Sequence, residues 1–212
     1  MKRKLKILLC AAVIIFTVIS QSQGLFFQVY AVNYEKANET DNEYVNFTET
    51  NIKTTDMRKK SRIDKEKLSE YMKRFPNLSG IEDTLIDIQE EYNVNAILIL
   101  AIVRLESGNG KSSIAQSKNN LGGLVGGTEN SVAVYKSFDT KSDCVVYMAK
   151  LISSCYLTEG GKYFSGYTIS DIAKRYSTSP NEWSELVGSM ILNVQKGLDE
   201  IQTESNNNNN NN

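Results

Sequence analysis

The sequence predicts a mainly helical (α+β) domain with one small β-hairpin lobe. Helix-start patterns recur along the second half of the chain, and each is followed by apolar residues at helical spacing. Between Gly122 and Phe138 this spacing stops. Two pairs of adjacent glycines, followed by Val and Phe residues at alternating positions, indicate a hairpin there. With 2 Pro and 13 Gly in 212 residues, the chain is neither collagen-like nor Pro-rich.

Residues 1–31 are predicted to be an export signal. A basic start precedes an apolar run at 7–19, which is short for a membrane span of roughly 20 residues. Small residues at Val29 and Ala31 then favour cleavage after Ala31. An uncleaved membrane anchor that adds 25–32 to the apolar run is the alternative. The chain has 24 basic and 25 acidic residues, so removing the four basic ones of this segment leaves a mildly acidic protein.

The rest of the chain divides by composition. Residues 32–62 are rich in Asn, Thr, Glu and Lys without apolar periodicity, which predicts a flexible linker. Residues 204–212 are predicted to be a disordered, Asn-rich tail. The folded domain is therefore expected at 63–203.

Helix starts within this domain follow capping patterns. The predicted starts, in chain order, are Ser79 with Glu82, Asn95, Thr140 with Asp143, Thr168 with Asp171, and Ser179 before Pro180. The last helix carries one apolar stripe from Trp183 to Ile201, which indicates packing against the core.

Composition excludes several kinds of chemistry. The chain has no His, so Ser-His-Asp and Cys-His catalysis and His-ligated zinc are excluded. Three Cys are too few for a disulfide scaffold or a four-thiolate site. Cys144 and Cys155 would lie about 16 Å apart on one helix, which favours buried free thiols. No metal or cofactor is expected. A net charge of -1 gives no electrostatic support for nucleic-acid binding.

The most informative segment runs from Ala96 to Gly110. Its helix is apolar on all sides and too short to span a membrane, so it is predicted to be buried. Glu106 ends the helix above apolar residues, while Arg104 projects to the opposite side. Such surroundings favour a neutral carboxylic acid, the form that a general acid requires. A solvated Glu in the last helical turn is the alternative.

Several motifs resemble the bacterial glucosaminidase-domain family of peptidoglycan hydrolases, which have a lysozyme-like helical fold. The matching segments are LESGNGKS at 105–112 with Ile114-Ala115, NNLGGL at 119–124, YKSFD at 135–139, Tyr156, Thr168-Ile169, Ile172, Tyr176 and Trp183. The likeness extends from about Leu78 to Val194. The chain departs from the family at Asn109, where many members have Trp, and at Gly123, where many have Phe.

This resemblance implies roles for individual residues. Glu106 would be the general acid and Tyr176 would line the cleft near the scissile bond, with a core aromatic as the alternative for Tyr176. Glu129, the only acidic residue of the hairpin lobe, would be the second catalytic carboxylate or else a solvated turn residue. Substrate binding is assigned to Ser107, Asn119, Asn120 and Tyr135. Fixing a loop backbone is the alternative for both Asn residues.

The resemblance also implies a function. We expect an exported bacterial endo-β-N-acetylglucosaminidase, an autolysin that is secreted or cell-wall associated and acts on peptidoglycan glycan strands as a monomer. Two alternatives stay open. One is a lytic transglycosylase or muramidase on the same fold. The other is a non-catalytic peptidoglycan-binding scaffold.

Overall fold

A computed structural model describes residues 43–130 and 132–209, with side chains as far as residue 203. The predictions for the signal segment, for its cleavage after Ala31 and for residues 32–42 and 210–212 lie outside these residues. The elements are α1 (Lys65–Met72), a 3-10 turn (Pro76–Leu78), α2 (Glu82–Tyr92), α3 (Ala96–Ser107), α4 (Ser113–Lys118), β1 (Val125–Glu129), β2 (Val132–Tyr135), α5 (Lys141–Leu151), a π-helical turn (Ile152–Tyr156), α6 (Ile169–Tyr176) and α7 (Pro180–Asn209). The predicted fold class is confirmed.

Most helices begin where the capping patterns predict. The side chain of Asn95 accepts a hydrogen bond from the backbone N–H of Leu98 at the start of α3. Complete capping boxes join Thr140 to Asp143 and Thr168 to Asp171 at the starts of α5 and α6. Pro180 is the first residue of α7.

The start of α2 differs from the prediction. Ser79 does not cap the helix, because it follows directly on the 3-10 turn and Gly80 then turns the chain with φ of 90°. Ile81 occupies the capping position without a side-chain hydrogen bond. The Glu82 carboxylate accepts a hydrogen bond from the Gly80 backbone N–H at 2.8 Å instead. The predicted capping box of Ser79 and Glu82 is therefore wrong.

Helix α3 forms the centre of the core, as its apolar sequence predicts. All residues from Ala96 to Arg104 are buried, and the helix packs against α7, α2 and α5. A helix that is apolar on every side has no face suited to water, so it is stable only when surrounded in this way. The other helices therefore hold the end of α3, and with it Glu106, in a fixed place.

Arg104 is a buried cation that connects three helices. Its side chain is 6% exposed. Its Nη1 donates to the Tyr71 hydroxyl at 2.6 Å and to Asn193 Oδ1 at 3.1 Å, and its Nε donates to Asn109 Oδ1 at 2.8 Å. The guanidinium also lies 4.0 Å from the centre of the Phe75 ring. These partners satisfy the buried donors, and burial lowers the pKa of the guanidinium.

Residues 44–62 belong to the folded domain, so the predicted flexible linker is wrong for this segment. The compact unit begins at Tyr44, and Phe47, Ile52 and Met57 are buried in the main core. Tyr44 forms a parallel bridge with Lys60. These apolar residues lie five positions apart, which matches neither helical nor strand periodicity. We refer to residues 44–62 as the N-terminal strap.

The tail also differs from the prediction. Helix α7 continues to Asn209, beyond Ile201, the last core residue among the described side chains. Residues 204–209 are therefore helical and not a disordered tail.

No helix in the described part of the chain combines the length and the apolar character that a membrane span needs.

The predicted hairpin is present between α4 and α5. Strands β1 and β2 are antiparallel, with Glu129 opposite Val132 and Val125 opposite Tyr135, and a bulge interrupts the register between Val125 and Gly127. Every residue of β1 is exposed, and on β2 the exposed fraction of Val132 reaches 67%. The strands thus project from the domain and contribute little to its core.

Candidate active site

Glu106 lies in the last turn of α3, and two glycines shape the turn that follows it. Gly108 ends the helix in the left-handed conformation with φ of 58°. Gly110 also has a positive φ, 76°, and an added Cβ there would lie 2.7 Å from the carbonyl oxygen of Asn77. The left-handed conformation favours glycine at both positions, and the close approach of the Asn77 carbonyl excludes a side chain at Gly110. The glycines of the motif at 105–112 thus allow the tight turn that follows Glu106.

Ser107 holds this turn from inside. Its side chain is buried, its hydroxyl donates to the Val103 carbonyl at 2.6 Å, and its Oγ accepts from the Gly110 N–H at 2.7 Å. The hydroxyl therefore makes its hydrogen bonds within the protein. The buried hydroxyl presents no exposed polar group here, and the substrate-binding role of Ser107 stays a prediction.

The Glu106 side chain is exposed, although the helix beneath it is buried. Its Oε1 accepts a hydrogen bond from the indole Nε1–H of Trp183 at 3.0 Å. Trp183 lies in the first turn of α7 and is 7% exposed. Since Trp183 belongs to the apolar stripe of α7, its sequence pattern indicated only a core residue, and its contact with Glu106 was missed.

Tyr176, the last residue of α6, lies beside this pair. The centres of the Tyr176 and Trp183 rings are 4.6 Å apart. Burial raises the pKa of Tyr176, and the negative charge of Glu106 raises that pKa further. The side chain is therefore a neutral phenol throughout the physiological pH range. The structure thus brings together two of the three predicted catalytic residues.

An aromatic row continues away from Glu106. Its four rings are those of Trp183, Tyr176, Tyr156 and Tyr163, and the Tyr156 ring lies 5.7 Å from Tyr176 and 5.1 Å from Tyr163. Tyr156 ends the π-helical turn after α5, a wide turn of a kind often found at functional sites. The Tyr176 ring therefore packs against both Trp183 and Tyr156.

The two predicted Asn residues hold the base of the hairpin. Asn120 is buried, and its Nδ2 donates to the carbonyls of Leu124 and Lys136, both at 2.9 Å. Asn119 Nδ2 donates to the carbonyls of Phe138 and Asp139, at 3.1 and 2.9 Å. These bonds fit the alternative in which amide groups fix a loop backbone.

Glu129 and Tyr135 lie at opposite ends of the hairpin. Glu129 is exposed at the end of β1, near the hairpin tip, and Tyr135 is half-buried at the end of β2. Within the described residues, no hydrogen bond or ion pair connects Glu129 to Glu106, Trp183 or Tyr176. The second catalytic carboxylate and the substrate contact of Tyr135 stay predictions.

Cys144 and Cys155 are free thiols, as predicted, although Cys155 is only half-buried. The Cys144 sulfur accepts a hydrogen bond from the backbone N–H of Leu121 at 3.2 Å, which ties α5 to the loop before the hairpin. Among the described side chains, no group of three or more His, Cys, Asp and Glu residues is arranged to hold a metal ion.

Two surface cavities of the described domain do not include the candidate catalytic side chains. One of about 420 Å³ lies between the N-terminal strap and α7, and another of about 350 Å³ is lined by Arg58, Tyr167 and the loop after the π-helical turn. Neither is lined by Glu106, Trp183 or Tyr176. The candidate site is at Glu106 because a carboxyl group, an indole N–H and a phenol lie together there.

Known proteins resemble this domain in sequence and in fold. The sequence profile of the glucosaminidase family, described as mannosyl-glycoprotein endo-beta-N-acetylglucosaminidase, matches residues 82–196. A Streptococcus pneumoniae serotype 4 (strain ATCC BAA-334 / TIGR4) protein, provisionally named endo-beta-N-acetylglucosaminidase, is 30% identical over 115 residues. That match covers 54% of this chain and only 17% of the relative.

Solved structures share the fold. Autolysin E of S. aureus superimposes with a TM-score of 0.55 at 16% identity, over 71% of this chain and 73% of that one. Its complex with the muropeptide NAM-L-Ala-D-iGlu gives a TM-score of 0.50 at 17% identity, over 68% and 72% of the two chains. The family profile matches more than half of the sequence and includes α2 to α6, Glu106 and Trp183. This chain therefore belongs to the glucosaminidase family.

Proposed function

We propose that this protein is an exported, wall-associated peptidoglycan hydrolase that cleaves the β-1,4 glycosidic bond after N-acetylglucosamine. Membership of the glucosaminidase family supports the reaction, and the basic, apolar N-terminal sequence supports export. The observation that carries the proposal is the environment of Glu106. An exposed carboxyl group ends a buried helix, with an indole N–H on one oxygen and a neutral phenol beside it.

Glu106 acts as the general acid in this mechanism. In its protonated form it donates the proton to the glycosidic oxygen, and the bond between that oxygen and the anomeric carbon breaks. The leaving sugar departs with the proton, and the remaining sugar passes through an oxocarbenium-like transition state. Glu106 is then a carboxylate, which can take a proton from the attacking water and return to its starting form.

Tyr176 contributes a neutral polar group next to the reacting bond. Because burial and the charge of Glu106 both raise its pKa, the phenol keeps its proton during the reaction. It can therefore donate a hydrogen bond to the sugar without competing with Glu106 as an acid. Tyr156 packs against its ring and limits its rotation.

The identity of the released ends tests this function. Purified protein lacking residues 1–31 is incubated with cell walls, and the products are reduced with borohydride and analysed by mass spectrometry. We expect reduced N-acetylglucosamine at the new ends. Anhydro-muramic ends would instead identify a lytic transglycosylase, and reduced N-acetylmuramic acid would identify a muramidase. Wall binding without release of fragments would identify a non-catalytic scaffold.

Glu129→Gln tests whether the hairpin supplies a second catalytic group. We expect the rate of wall lysis to fall, but by less than the roughly 10²–10⁴-fold typical of losing a general acid. The reason is that Glu129 lies on exposed strands and not on the buried core. Steady-state kinetics on soluble glycan fragments provide the measurement.

A covalent glycosyl adduct on Glu129, seen by mass spectrometry, would contradict the expectation that Glu129 contributes less to the rate than the general acid does. It would make Glu129 the nucleophile and predict a larger rate loss. An unchanged rate would mean that Glu106, Tyr176 and the acetamido group of the substrate carry the reaction. Thr128→Ala, at the preceding exposed position of β1, is the matched control for a change in hairpin stability.

A further inference from the structure

Trp183 is the only tryptophan of the chain, and it contacts both reactive side chains. Its Nε1–H donates to Glu106 Oε1, and its ring packs against that of Tyr176. We propose that Trp183 is a positioning residue that directs the acidic proton of Glu106 to Oε2 and stabilises the carboxylate as that proton leaves. This inference rests on the proposed role of Glu106 as the general acid.

The indole N–H determines which oxygen carries the proton because it can only donate. A carboxylic acid has one carbonyl oxygen, which accepts hydrogen bonds well, and one hydroxyl oxygen, which donates. With the indole directed at Oε1, the favourable arrangement leaves Oε1 as the carbonyl and places the proton on Oε2. Oε2 is then the atom that donates to the substrate.

The same hydrogen bond strengthens during the reaction. Before proton transfer, the N–H meets a neutral carbonyl oxygen. As the proton moves to the glycosidic oxygen, Glu106 gains negative charge and the bond becomes charge-assisted, which makes it roughly twice as strong. An interaction that is stronger in the transition state than in the bound substrate raises kcat and leaves KM almost unchanged.

The titratable neighbours of this pair keep one protonation state in acid. Tyr176 of α6 lies against Trp183, with Tyr156 beyond it, and Tyr156 and Cys144 of α5 act together with Glu106 on the pKa of Tyr176, raising it beyond the effect of burial. Burial raises the pKa of Tyr176, Tyr156 and Cys144, so all three remain neutral in acid and near neutral pH. The adjacent Glu182 of α7 is exposed and serves as a control.

Trp183→Phe removes the N–H and keeps an aromatic ring against Tyr176. We expect kcat on soluble glycan fragments to fall roughly 10- to 100-fold, as for one lost hydrogen bond to a charged group, with KM changed less than about twofold. Circular dichroism shows whether the variant is folded. A folded variant with wild-type kcat, in a protein whose Glu106→Gln variant is inactive, would overturn this inference and leave the proposed function standing.

Fluorescence tests the contact independently of activity and of the folding of Trp183→Phe. All tryptophan emission comes from Trp183, so protonation of its hydrogen-bond partner changes the emission. We expect an acid transition in the wild type and in Glu182→Gln that is absent in Glu106→Gln. The same transition in Glu106→Gln, or none in the wild type, would overturn the inference. If Glu106→Gln retains full activity, the proposed function itself fails.

Discussion

Replacing Glu106 by Gln is expected to abolish cell-wall lysis while the domain stays folded. Gln keeps the size of the side chain and can still accept the hydrogen bond from Trp183 through its carbonyl oxygen, but it has no acidic proton. Loss of a general acid typically lowers the rate about 10²–10⁴-fold. Because the Glu106 side chain is exposed, the substitution leaves the core unchanged.

The measurement is release of fragments from purified cell walls, with circular dichroism as the test of folding. Glu91→Gln is a matched control, because Glu91 is also an exposed acid in the last turn of a helix, α2. We expect wild-type lysis from this control. Lysis near wild type by a folded Glu106→Gln protein would remove Glu106 from the mechanism.

Features encoded within a few residues were predictable from the sequence. The caps at Asn95, Thr140 and Thr168 depend on contacts three residues away, so their patterns identify helix starts directly. The burial of α3 follows from a helix that is apolar on all sides. The end of α3 at Gly108 follows from the need for a left-handed residue there.

Features that depend on distant contacts were not predictable. Trp183 and Glu106 lie 77 positions apart, and an indole in an apolar stripe gives no sign of its hydrogen-bond partner. The substrate-binding role predicted for Ser107 came from the motif, whereas its hydroxyl bonds to backbone atoms on either side of the turn. The sequence identified the motif but not which of its side chains face outward.

The N-terminal strap was missed for a related reason. Phe47, Ile52 and Met57 are separated by polar residues, and no regular element aligns them on one face. Each contacts the core only because the strap follows the surface of the folded domain. A chain segment of this kind is recognisable only when the surface that it covers is known. It also lies outside residues 82–196, which the family profile matches.

Deleting the N-terminal strap is expected to unfold the domain. Full burial of an apolar side chain contributes about 1.5–3 kcal/mol, so losing Phe47, Ile52 and Met57 removes an amount comparable to the roughly 5–15 kcal/mol stability of a whole domain. The strap also satisfies buried polar groups. Gln89 Oε1 accepts from the Ser61 N–H at 2.8 Å, and Asn95 Nδ2 donates to the Lys59 carbonyl at 2.7 Å.

Proteins that begin at residue 43 and at residue 63, both ending at residue 205, provide the comparison. We expect cooperative thermal unfolding from the longer protein and no cooperative transition from the shorter one. Met57→Ala in the longer protein is expected to cost about 2–5 kcal/mol of unfolding free energy, which lowers Tm by roughly 5–20 °C in a domain of this size. Lys53→Ala, at an exposed position of the same strap, is expected to leave Tm nearly unchanged. Equal Tm values for the two lengths would show that residues 63–205 fold without the strap, as the sequence alone predicts.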